Sequence, residues 1–341
     1  MCICLFSAIS ETLAFGITSP TTYKVGFQPK PTFADVDVSS QKHQPCFSYS
    51  HSRDSKLYMG WGPEPIWSAA KVESNINSSP SGQFVQVTVD VPTEVIEGYK
   101  VPGQYVQLKE NDSEDAKPLF LAIASPPLPT TTDENGESTT SVTNTKMEFL
   151  IKKTDNNDWI TSAGASKEIY ISQVMGGGFA MKENFEGFKY DFPCQNVLLF
   201  ANGSGIAPLK AAIESSQLNI AKPGQGGRTA RLYYGVTTPA DMPYVNKFRE
   251  WEMNGVEVVP VVSRPEECEW NGRTGYVQNA LEEDGVPIPR NSGALLCGVK
   301  GMTESVKDLL SKAGEAFFFP IMFIFFIFAF NAHFDSLYFL F

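Results

Sequence analysis

The first half of the folded region shows the two-residue alternation of hydrophobic and polar positions that is typical of half-buried β-strands. Apolar and polar side chains alternate at 84–89, 105–108 and 147–151. Residues 127–146 are rich in hydroxyl and acidic side chains, which cannot support a core, and we interpret them as an extended hairpin loop. Short strands separated by turn signals predict a small barrel or sandwich over residues 64–192.

From about residue 193 the pattern changes to continuous apolar runs separated by segments with helical spacing. The apolar runs lie at 197–200, 230–234, 256–259 and 294–297. The clearest helical segment has apolar residues at i, i+4, i+7 and i+8: Met302, Val306, Leu309 and Leu310. Because buried strands that alternate with helices are typical of parallel sheets, residues 193–315 are predicted to form an α/β domain. The predicted fold class is an antiparallel β-barrel followed by a parallel-sheet domain.

Length, charge and histidine content narrow the function. A chain of 341 residues is long enough for about two domains. The net charge of −11 argues against a nucleic-acid partner, which needs a basic surface. The histidines are His43, His51 and His333, so residues 52–332 contain none, which excludes histidine-dependent hydrolases and histidine-ligated metal sites there. The cysteines form no C-x-x-C pair. Chemistry in the folded region is therefore expected to depend on a cofactor.

The two ends of the chain differ from the sequence between them. Residues 1–63 have an apolar start followed by a hydroxyl-rich basic stretch, which resembles a two-part plastid-targeting leader; a disordered N-terminus is the alternative. We therefore expect a plastid protein. Residues 316–341 form an atypical hydrophobic tail, but its uncharged run, 316–330, is shorter than the about 20 residues that span a bilayer and contains Pro320. Membrane contact through residues 316–334 and an atypical terminus without membrane contact both stay open.

A glycine-containing turn lies where the first buried strand of the α/β region passes into a helix. Residues 200–209 read FANGSGIAPL, with Pro208 in the first helical turn. Glycines allow a pyrophosphate to approach the backbone closely, and a helix N-terminus supplies N–H donors and positive potential. We predict that five residues of this turn bind a dinucleotide: Gly203, Ser204, Gly205, Ile206 and Pro208. A tight strand-to-helix turn without a ligand is the alternative.

Further candidates follow the other predicted strands at their carboxyl ends. Ser263 and Arg264 come directly after the strand that ends at Val262, where a hydroxyl and a guanidinium suit an adenosine 2′-phosphate. The remaining candidates are a second cation, a ring for adenine stacking, an amide and three residues around the last predicted strand: Arg273, Tyr276, Gln278, Cys297, Gly298 and Met302. Ser263 and Arg264 also suit a solvated turn before Pro265, and Cys297 also suits a core. Because ligands of α/β proteins bind at the carboxyl ends of strands, together they predict a nucleotide site.

Taken in order, these motifs resemble those of the ferredoxin–NADP reductase-like flavoproteins, and among them the plant "fruit protein" branch of reductase-like proteins. The resemblance covers about residues 64–313. The matching segments are a barrel motif at 102–105, the fruit-protein run FLAIASPP at 120–127, a pyridine-nucleotide phosphate loop at 202–208, an NADP-selecting set at 263–264 and 276–278, and a cysteine–glycine motif at 296–298 with Met302.

The resemblance implies FAD in the barrel, NADP(H) in the α/β domain, and hydride transfer from nicotinamide C4 beside Cys297, the candidate catalytic residue, to flavin N5 near residues 121–123. The implied flavin contacts lie along the barrel motif and the flavin motif: Tyr105, Lys117, Phe120, Leu121, Ala122, Ile123 and Ser125. The family pattern Arg-x-Tyr-Ser aligns with residues 119–122, which read LFLA. Lys117 is the nearest cation to this motif and Phe120 the nearest ring.

These observations predict an NAD(P)H-dependent flavin oxidoreductase, with NADPH as the donor and an unidentified electron acceptor. Two alternatives stay open: a regulatory module that binds NADP(H) without flavin, and a membrane-tethered enzyme similar to the cytochrome b5 reductases. Proteins of the family continue past the position of Gly314 into a last strand, whereas Glu315 here leads into the phenylalanine-rich tail. We therefore expect the α/β domain to lack its final strand.

Overall fold

The computed structural model describes residues 64–132, 138–140, 144–186, 194–267, 269–316 and 322–326. They belong to one unit, Met59–Phe341. The expected leader and all three histidines lie outside the described residues, as does the tail beyond residue 326.

The N-terminal domain consists mainly of antiparallel strands. They are β1 (Trp67–Asn77), β2 (Phe84–Asp90), β3 (Tyr105–Lys109), β4 (Leu119–Ala122), β5 (Thr130–Thr132), β6 (Ser138–Thr140), β7 (Lys146–Lys152) and β8 (Glu168–Ser172), with short helices α1 (Thr93–Gly98) and α2 (Asp158–Thr161). Six strands form one sheet in the order β4-β3-β8-β1-β2-β7, and β5 pairs with β6 in a separate hairpin. A bridge between Ile123 and Phe149 brings the two edges of the sheet together, so the sheet forms a nearly closed barrel.

The alternation of side chains along the strands produces the barrel core. Val85, Val87 and Val89 of β2 are buried in it, while the intervening side chains are partly exposed. Val87 pairs with Phe149 of β7, which is fully buried. Burial of each such side chain contributes about 1.5–3 kcal/mol. The three predicted alternating segments are confirmed as β2, β3 and β7, and the described part of the predicted hairpin loop contains β5 and β6.

The C-terminal domain is a parallel sheet with helices between its strands. Its elements are α3 (Met181–Phe185), β9 (Asn196–Asn202), α4 (Ile206–Glu214), β10 (Thr229–Val236), α5 (Val245–Met253), β11 (Val256–Val262), β12 (Arg273–Thr274), α6 (Val277–Asp284), β13 (Ser292–Cys297), α7 (Lys300–Ala316) and β14 (Met322–Phe326). The strand order is β12-β11-β10-β9-β13-β14, and every pair is parallel. The predicted α/β architecture is confirmed.

The expectation that this sheet lacks its last strand is wrong. Residues of the hydrophobic tail form β14, which pairs with β13 from Gly293 opposite Met322 to Cys297 opposite Phe326. The physical reason is that β13 would otherwise present a row of unpaired N–H and C=O groups at the sheet edge. Parallel strands also read as near-continuous apolar runs, and the sequence of β14, MFIFF, is such a run. No helix among the described residues has the length and apolar composition needed to cross a bilayer.

The order of the strands places a crevice at one end of the parallel sheet. From the central strand β9 the chain moves through α4 to β10 on one side, and β13 lies on the other side. The direction of winding therefore reverses between β9 and β13, and α/β proteins bind ligands at the carboxyl ends of the strands where this occurs. A shared apolar core joins the barrel to the α/β domain; it includes Phe84 of β2, Phe179, Ile206 of α4 and Trp251 of α5.

Candidate functional site

The barrel and the α/β domain enclose a cleft of about 260 Å³ at the carboxyl ends of β9, β10 and β13. Its barrel wall is formed by Phe84, Leu121, Ala122, Leu150 and Lys152. Its opposite wall is formed by the turn after β9 and by residues that follow β10 and β13. The cleft thus brings the predicted phosphate loop and the predicted cysteine–glycine motif against the strand that carries the predicted flavin motif.

The turn after β9 depends on close backbone contacts that require glycine. Gly203 has a φ of +53°, in the left-handed region that favours glycine. At Gly205, an added Cβ would overlap the carbonyl oxygen of Cys297 and lie 2.8 Å from its carbonyl carbon. The Tyr234 hydroxyl donates a hydrogen bond to the Gly203 carbonyl at 3.0 Å. Since the turn passes directly into α4, the N-terminus of a helix of 9 residues forms part of the cleft wall and suits a phosphate.

The cysteine–glycine motif lies beside this turn. Cys297 is fully buried, and burial raises the pKa of its thiol to about 12. The raised pKa favours the neutral thiol in the cleft wall, and the catalytic role of Cys297 stays a prediction. At Gly298, an added Cβ would lie 2.9 Å from Met302 Cε and 3.0 Å from Asn202 Cβ. These contacts leave no space for a side chain between the two strand ends.

Strand β4, which carries the predicted flavin motif, divides its side chains between two cores. Leu121 is buried in the barrel core, and the half-buried Leu119 packs against the same core. Phe120 packs instead against the core that the two domains share, with its ring centroid 6.2 Å from that of Tyr105. Only Leu121 and Ala122 of this strand also line the cleft. Lys117, the predicted substitute cation, is exposed just before the strand.

Two other predicted flavin residues have structural contacts. Ile123 is fully buried and bridges to Phe149, and therefore closes the barrel. The Ser125 hydroxyl accepts a hydrogen bond from the Glu148 N–H at 3.2 Å, and the Ser125 carbonyl accepts one from the Tyr99 hydroxyl at 2.8 Å. Neither residue lines the cleft, so the structure does not bring them together with Leu121 and Ala122 there.

The barrel motif at 102–105 is a turn held by the Gln104 amide. Its Oε1 accepts hydrogen bonds from the N–H groups of Lys100 and Val101, at 2.8 and 3.0 Å, and its Nε2 donates to the Gly176 carbonyl at 3.0 Å. At Gly178, where φ is +67°, an added Cβ would lie 2.8 Å from the Pro102 carbonyl oxygen. The motif therefore fixes the start of β3, which places Tyr105 in the shared core.

The predicted adenosine-binding residues lie at the carboxyl end of β11. The Ser263 N–H donates to the Val236 carbonyl at 3.0 Å, and the Arg264 N–H donates to the Thr237 carbonyl at 2.9 Å, which ties this segment to the end of β10. Arg264 and Tyr276 are exposed. Gln278 Oε1 is buried and has no hydrogen-bond partner among the described residues, so it can accept a hydrogen bond from a ligand.

Arg273 has a different environment from that of its predicted partners. Its guanidinium forms ion pairs with Asp284 and Glu283 and donates a hydrogen bond to the Ala280 carbonyl at 3.2 Å. Asp284 also accepts from the Tyr233 hydroxyl at 2.9 Å. Desolvation raises the pKa of the Asp284 carboxyl, but hydrogen bonds from Arg273 and Tyr233 and nearby guanidinium charge outweigh this effect and hold the pKa below its usual value. These contacts thus hold the Arg273 guanidinium at the C-terminal end of α6.

The geometry can be compared with known proteins. Residues 199–308 match the family described as the oxidoreductase NAD-binding domain. The ferredoxin NADP+ reductase of Neisseria gonorrhoeae, solved with bound FAD and NADP, superposes with a TM-score of 0.58 at 15% identity over 77% of this chain and 99% of that chain. The chain has the ferredoxin–NADP reductase fold. The fold class predicted from the sequence is confirmed.

Two further comparisons extend this result. The reductase-fold chain is 29% identical over 263 residues to the fruit protein pKIWI502 of Actinidia deliciosa, which covers 74% of each chain. The CS-b5R domains of human Ncb5or, solved in the NAD+ form, superpose with a TM-score of 0.57 at 17% identity over 76% of this chain and 70% of that chain. The resemblance to the reductase-like proteins and their fruit-protein branch is confirmed, and residues 199–308 are an oxidoreductase NAD-binding domain.

The cleft of this reductase fold fits the ring system of a flavin. Phe84, Leu121 and Leu150 supply apolar surface, Ala122 is small, and Gln83 and Lys152 supply polar groups at the same wall. The FAD pyrophosphate has no arginine at position 119, where Leu119 packs against the barrel core. The residues that line this wall thus fit the isoalloxazine ring, with Lys152 as the cation beside it.

Lys152 is the residue that sequence reasoning missed. It ends β7, is exposed, and is the cation among the described residues that line the cleft. It pairs with Phe84 in the sheet, next to Gln83 of the same wall. Lysines are common at solvated strand ends, so the position of Lys152 in the sequence does not indicate a binding site. Lys152 lines the cleft only because the barrel packs against the α/β domain there.

Proposed function

We propose that this chain is an NAD(P)H-dependent flavin oxidoreductase in which NADPH binds to the α/β domain and FAD binds at the barrel wall of the cleft. One observation carries the proposal. The glycine turn, the cysteine–glycine motif and β4 meet at the same cleft, where a nicotinamide and a flavin ring would be in contact. The family match and the shared fold support the same reaction class.

The α/β domain binds and orients the nucleotide in this proposal. The bare backbone of Gly203 and Gly205 and the N-terminus of α4 hold the pyrophosphate. The closely packed wall at 297–299 limits the nicotinamide to an orientation in which one face is turned to the barrel. The neutral Cys297 thiol excludes water there and takes no proton, in keeping with a reaction that needs no general base.

The barrel wall positions the flavin. Leu121 and Leu150 give the ring an apolar surface, and Lys152 lies where it can balance negative charge in the cleft. When bound, FAD supplies the hydride-accepting chemistry that the side chains of the described residues lack. The apolar surface also excludes water from the space between the two rings.

We propose NADPH rather than NADH as the preferred nucleotide. Ser263 and the exposed Arg264 lie at the end of β11, where the serine hydroxyl and the arginine guanidinium can bind a 2′-phosphate. We assign the preference to Arg264 because of its position and exposure at the end of β11. Gln278 Oε1, buried and unpaired within the described part of the chain, is available to an adenosine hydroxyl or amine.

The test is a visible spectrum of the purified chain, followed by anaerobic addition of NADPH. We expect a yellow protein that releases FAD on heating and loses its flavin absorbance with NADPH. Lys152→Met should weaken flavin or NADPH binding, whereas Lys153→Met, at the adjacent exposed lysine that does not line the cleft, should not. A protein that binds FAD but shows no reduction by NADPH would refute the proposed reaction.

The second candidate is a module that binds NADP(H) without flavin. One observation favours it. Leu121 is buried in the barrel core and Leu119 packs against it, at the positions where the family has its flavin-binding tyrosine and arginine. A colourless protein that binds NADPH and takes up no added FAD would support this candidate and contradict the first.

We propose delivery to plastids on the composition of residues 1–63, which lie outside the described part of the structure. Fusion of these residues to a fluorescent protein provides the test. Fluorescence confined to plastids is expected, and uniform cytosolic fluorescence would contradict it.

A further inference from the structure

A buried lysine lies between the two domains and close to the cleft. Lys210 of α4 comes two positions after Pro208 and is 3% exposed. Its Nζ is 2.8 Å from Glu214 Oε2 in the same helix and 3.3 Å from Glu148 Oε1 of β7. It also donates to the Ala124 carbonyl at 3.3 Å. One ammonium group thus joins the helix that follows the phosphate turn to two points of the barrel.

The two carboxylates of this network have closely similar environments. The side chain of Glu148 is 16% exposed and that of Glu214 is 17% exposed. Each accepts one further hydrogen bond from a neutral aromatic donor, Glu148 from the Tyr244 hydroxyl at 2.8 Å and Glu214 from the Trp251 indole N–H at 3.2 Å. Glu214 lies closer to Lys210 Nζ, but only Glu148 belongs to the barrel.

The barrel contacts of Lys210 lie directly behind β4. Ala124 follows the end of this strand by two residues, and its N–H donates to the Glu148 carbonyl at 2.7 Å. The Glu148 N–H in turn donates to the Ser125 hydroxyl. The segment after Leu121 and Ala122 is therefore fixed by a short set of hydrogen bonds that ends at Lys210.

Stability alone does not account for a buried charge at this position. Desolvation of an ammonium and two carboxylates offsets most of their attraction, and apolar side chains of similar size often stabilise a protein as well or better. What a buried ion pair can add is a fixed relative position of the elements that carry the charges. Here those elements are the two walls of the cleft.

We propose that Lys210 is a positioning residue, which sets the distance and orientation of β4 relative to the phosphate turn through Glu148 and the Ala124 carbonyl. This inference rests on the proposed function of the cleft. Hydride transfer requires the two reacting rings in near-contact geometry, and a displacement of about 1 Å can lower a rate about 10²-fold. Lys210 touches neither ring in this arrangement and acts through the backbone of both walls.

The experiment compares Glu148→Gln with the matched variant Glu214→Gln in the full-length protein. Each substitution removes one charge, keeps the side-chain shape and leaves Lys210 with one carboxylate, so we expect both proteins to fold with similar melting temperatures. Flavin reduction by saturating NADPH is followed in a stopped-flow instrument, and NADPH affinity is measured separately. We expect Glu148→Gln to lower the limiting rate about tenfold or more with NADPH affinity nearly unchanged, and Glu214→Gln to leave the rate within about twofold.

Backbone hydrogen exchange gives a readout that does not need flavin. Glu148→Gln should increase exchange at residues 122–125 and 203–206, whereas Glu214→Gln should affect α4 alone. Equal effects of the two variants, or no effect of Glu148→Gln on either measurement, would overturn the inference. If the wild-type protein holds no reducible flavin, the proposed function fails, and the exchange data still decide whether Lys210 fixes the two walls.

Discussion

The two walls of the cleft are built on different principles. On the α/β side the glycine turn presents backbone: Gly203 supplies a left-handed residue, and Gly205 leaves room for the carbonyl of Cys297. On the barrel side β4 presents side chains, and its Leu121 is at once part of the cleft wall and part of the barrel core. A binding surface made of backbone depends on residues that a sequence shows directly. A surface made of side chains can be replaced residue by residue while the strand stays in place.

The largest effect on stability is expected at Leu121. A variant there tests whether the side chains of the barrel wall serve mainly to pack the barrel core. Leu121→Ala removes a buried side chain and should lower the free energy of unfolding by about 3 kcal/mol, because it leaves a cavity. Urea unfolding measures this loss, and NADPH affinity should hardly change. Ile76→Ala, at an exposed position of β1, should cost much less. Similar losses in the two variants would show that Leu121 has no special packing role.

The second prediction concerns the opposite wall. Gly205→Ala forces a Cβ against the Cys297 carbonyl, and the strain should cost about 2–3 kcal/mol of stability and displace the phosphate turn. We expect NADPH affinity to fall together with the melting temperature. Gly301→Ala is the control, because an added Cβ there has nothing within 4 Å and alanine favours the helix. Unchanged NADPH binding in Gly205→Ala would contradict the proposal that the backbone of this turn holds the pyrophosphate.

A third variant sharpens the nucleotide preference of the same wall. Arg264→Ala should weaken NADPH binding by about 2 kcal/mol, or about 30-fold, through loss of a charge-assisted contact to the 2′-phosphate. NADH binding should change little. Isothermal titration with both nucleotides measures the difference, with Arg290→Ala as an exposed-arginine control. Equal weakening for NADH and NADPH would remove Arg264 from the specificity set.

The smallest effect is expected at Asp284, at the far end of α6. Its pKa is lower in the folded protein than its ordinary value of about 3.9, so the carboxylate stabilises the fold above about pH 4. That contribution disappears as the pH falls through the lower folded-state pKa. Asp284→Asn should cost less than about 1 kcal/mol at pH 7 and flatten the acid side of the melting-temperature profile. An unchanged profile would argue against the ion pairs with Arg273.

The fold was predictable because each domain has its own periodicity. Alternation at 84–89 and 147–151 identified barrel strands, and continuous apolar runs from residue 193 onward identified buried parallel strands. Strand β14 was not predictable, since its phenylalanine-rich sequence also suits a membrane contact. The deciding factor is the unpaired edge of β13, which is a property of the folded sheet.

The cleft was predictable only in part. The glycine turn and the cysteine–glycine motif are local signals, and the structure places both in the cleft wall. Lys152 and the Lys210 network carry no local signal, because their meaning depends on how the two domains approach each other. The assignment of Arg273 to the nucleotide stays a prediction, and its ion pairs with Glu283 and Asp284, 10 and 11 residues away, were invisible to motif reasoning.

The place of β14 in the chain has a consequence for biosynthesis. Of the described strands in the parallel sheet, this edge strand emerges from the ribosome last, after α7 has already been made. Until then the nascent domain exposes one edge of β13, whose unpaired backbone groups can pair with a strand of another chain. The parallel sheet can therefore be completed only after α7 has been synthesised. A chain whose synthesis stops before β14 would keep the unpaired edge of β13 and be prone to aggregate.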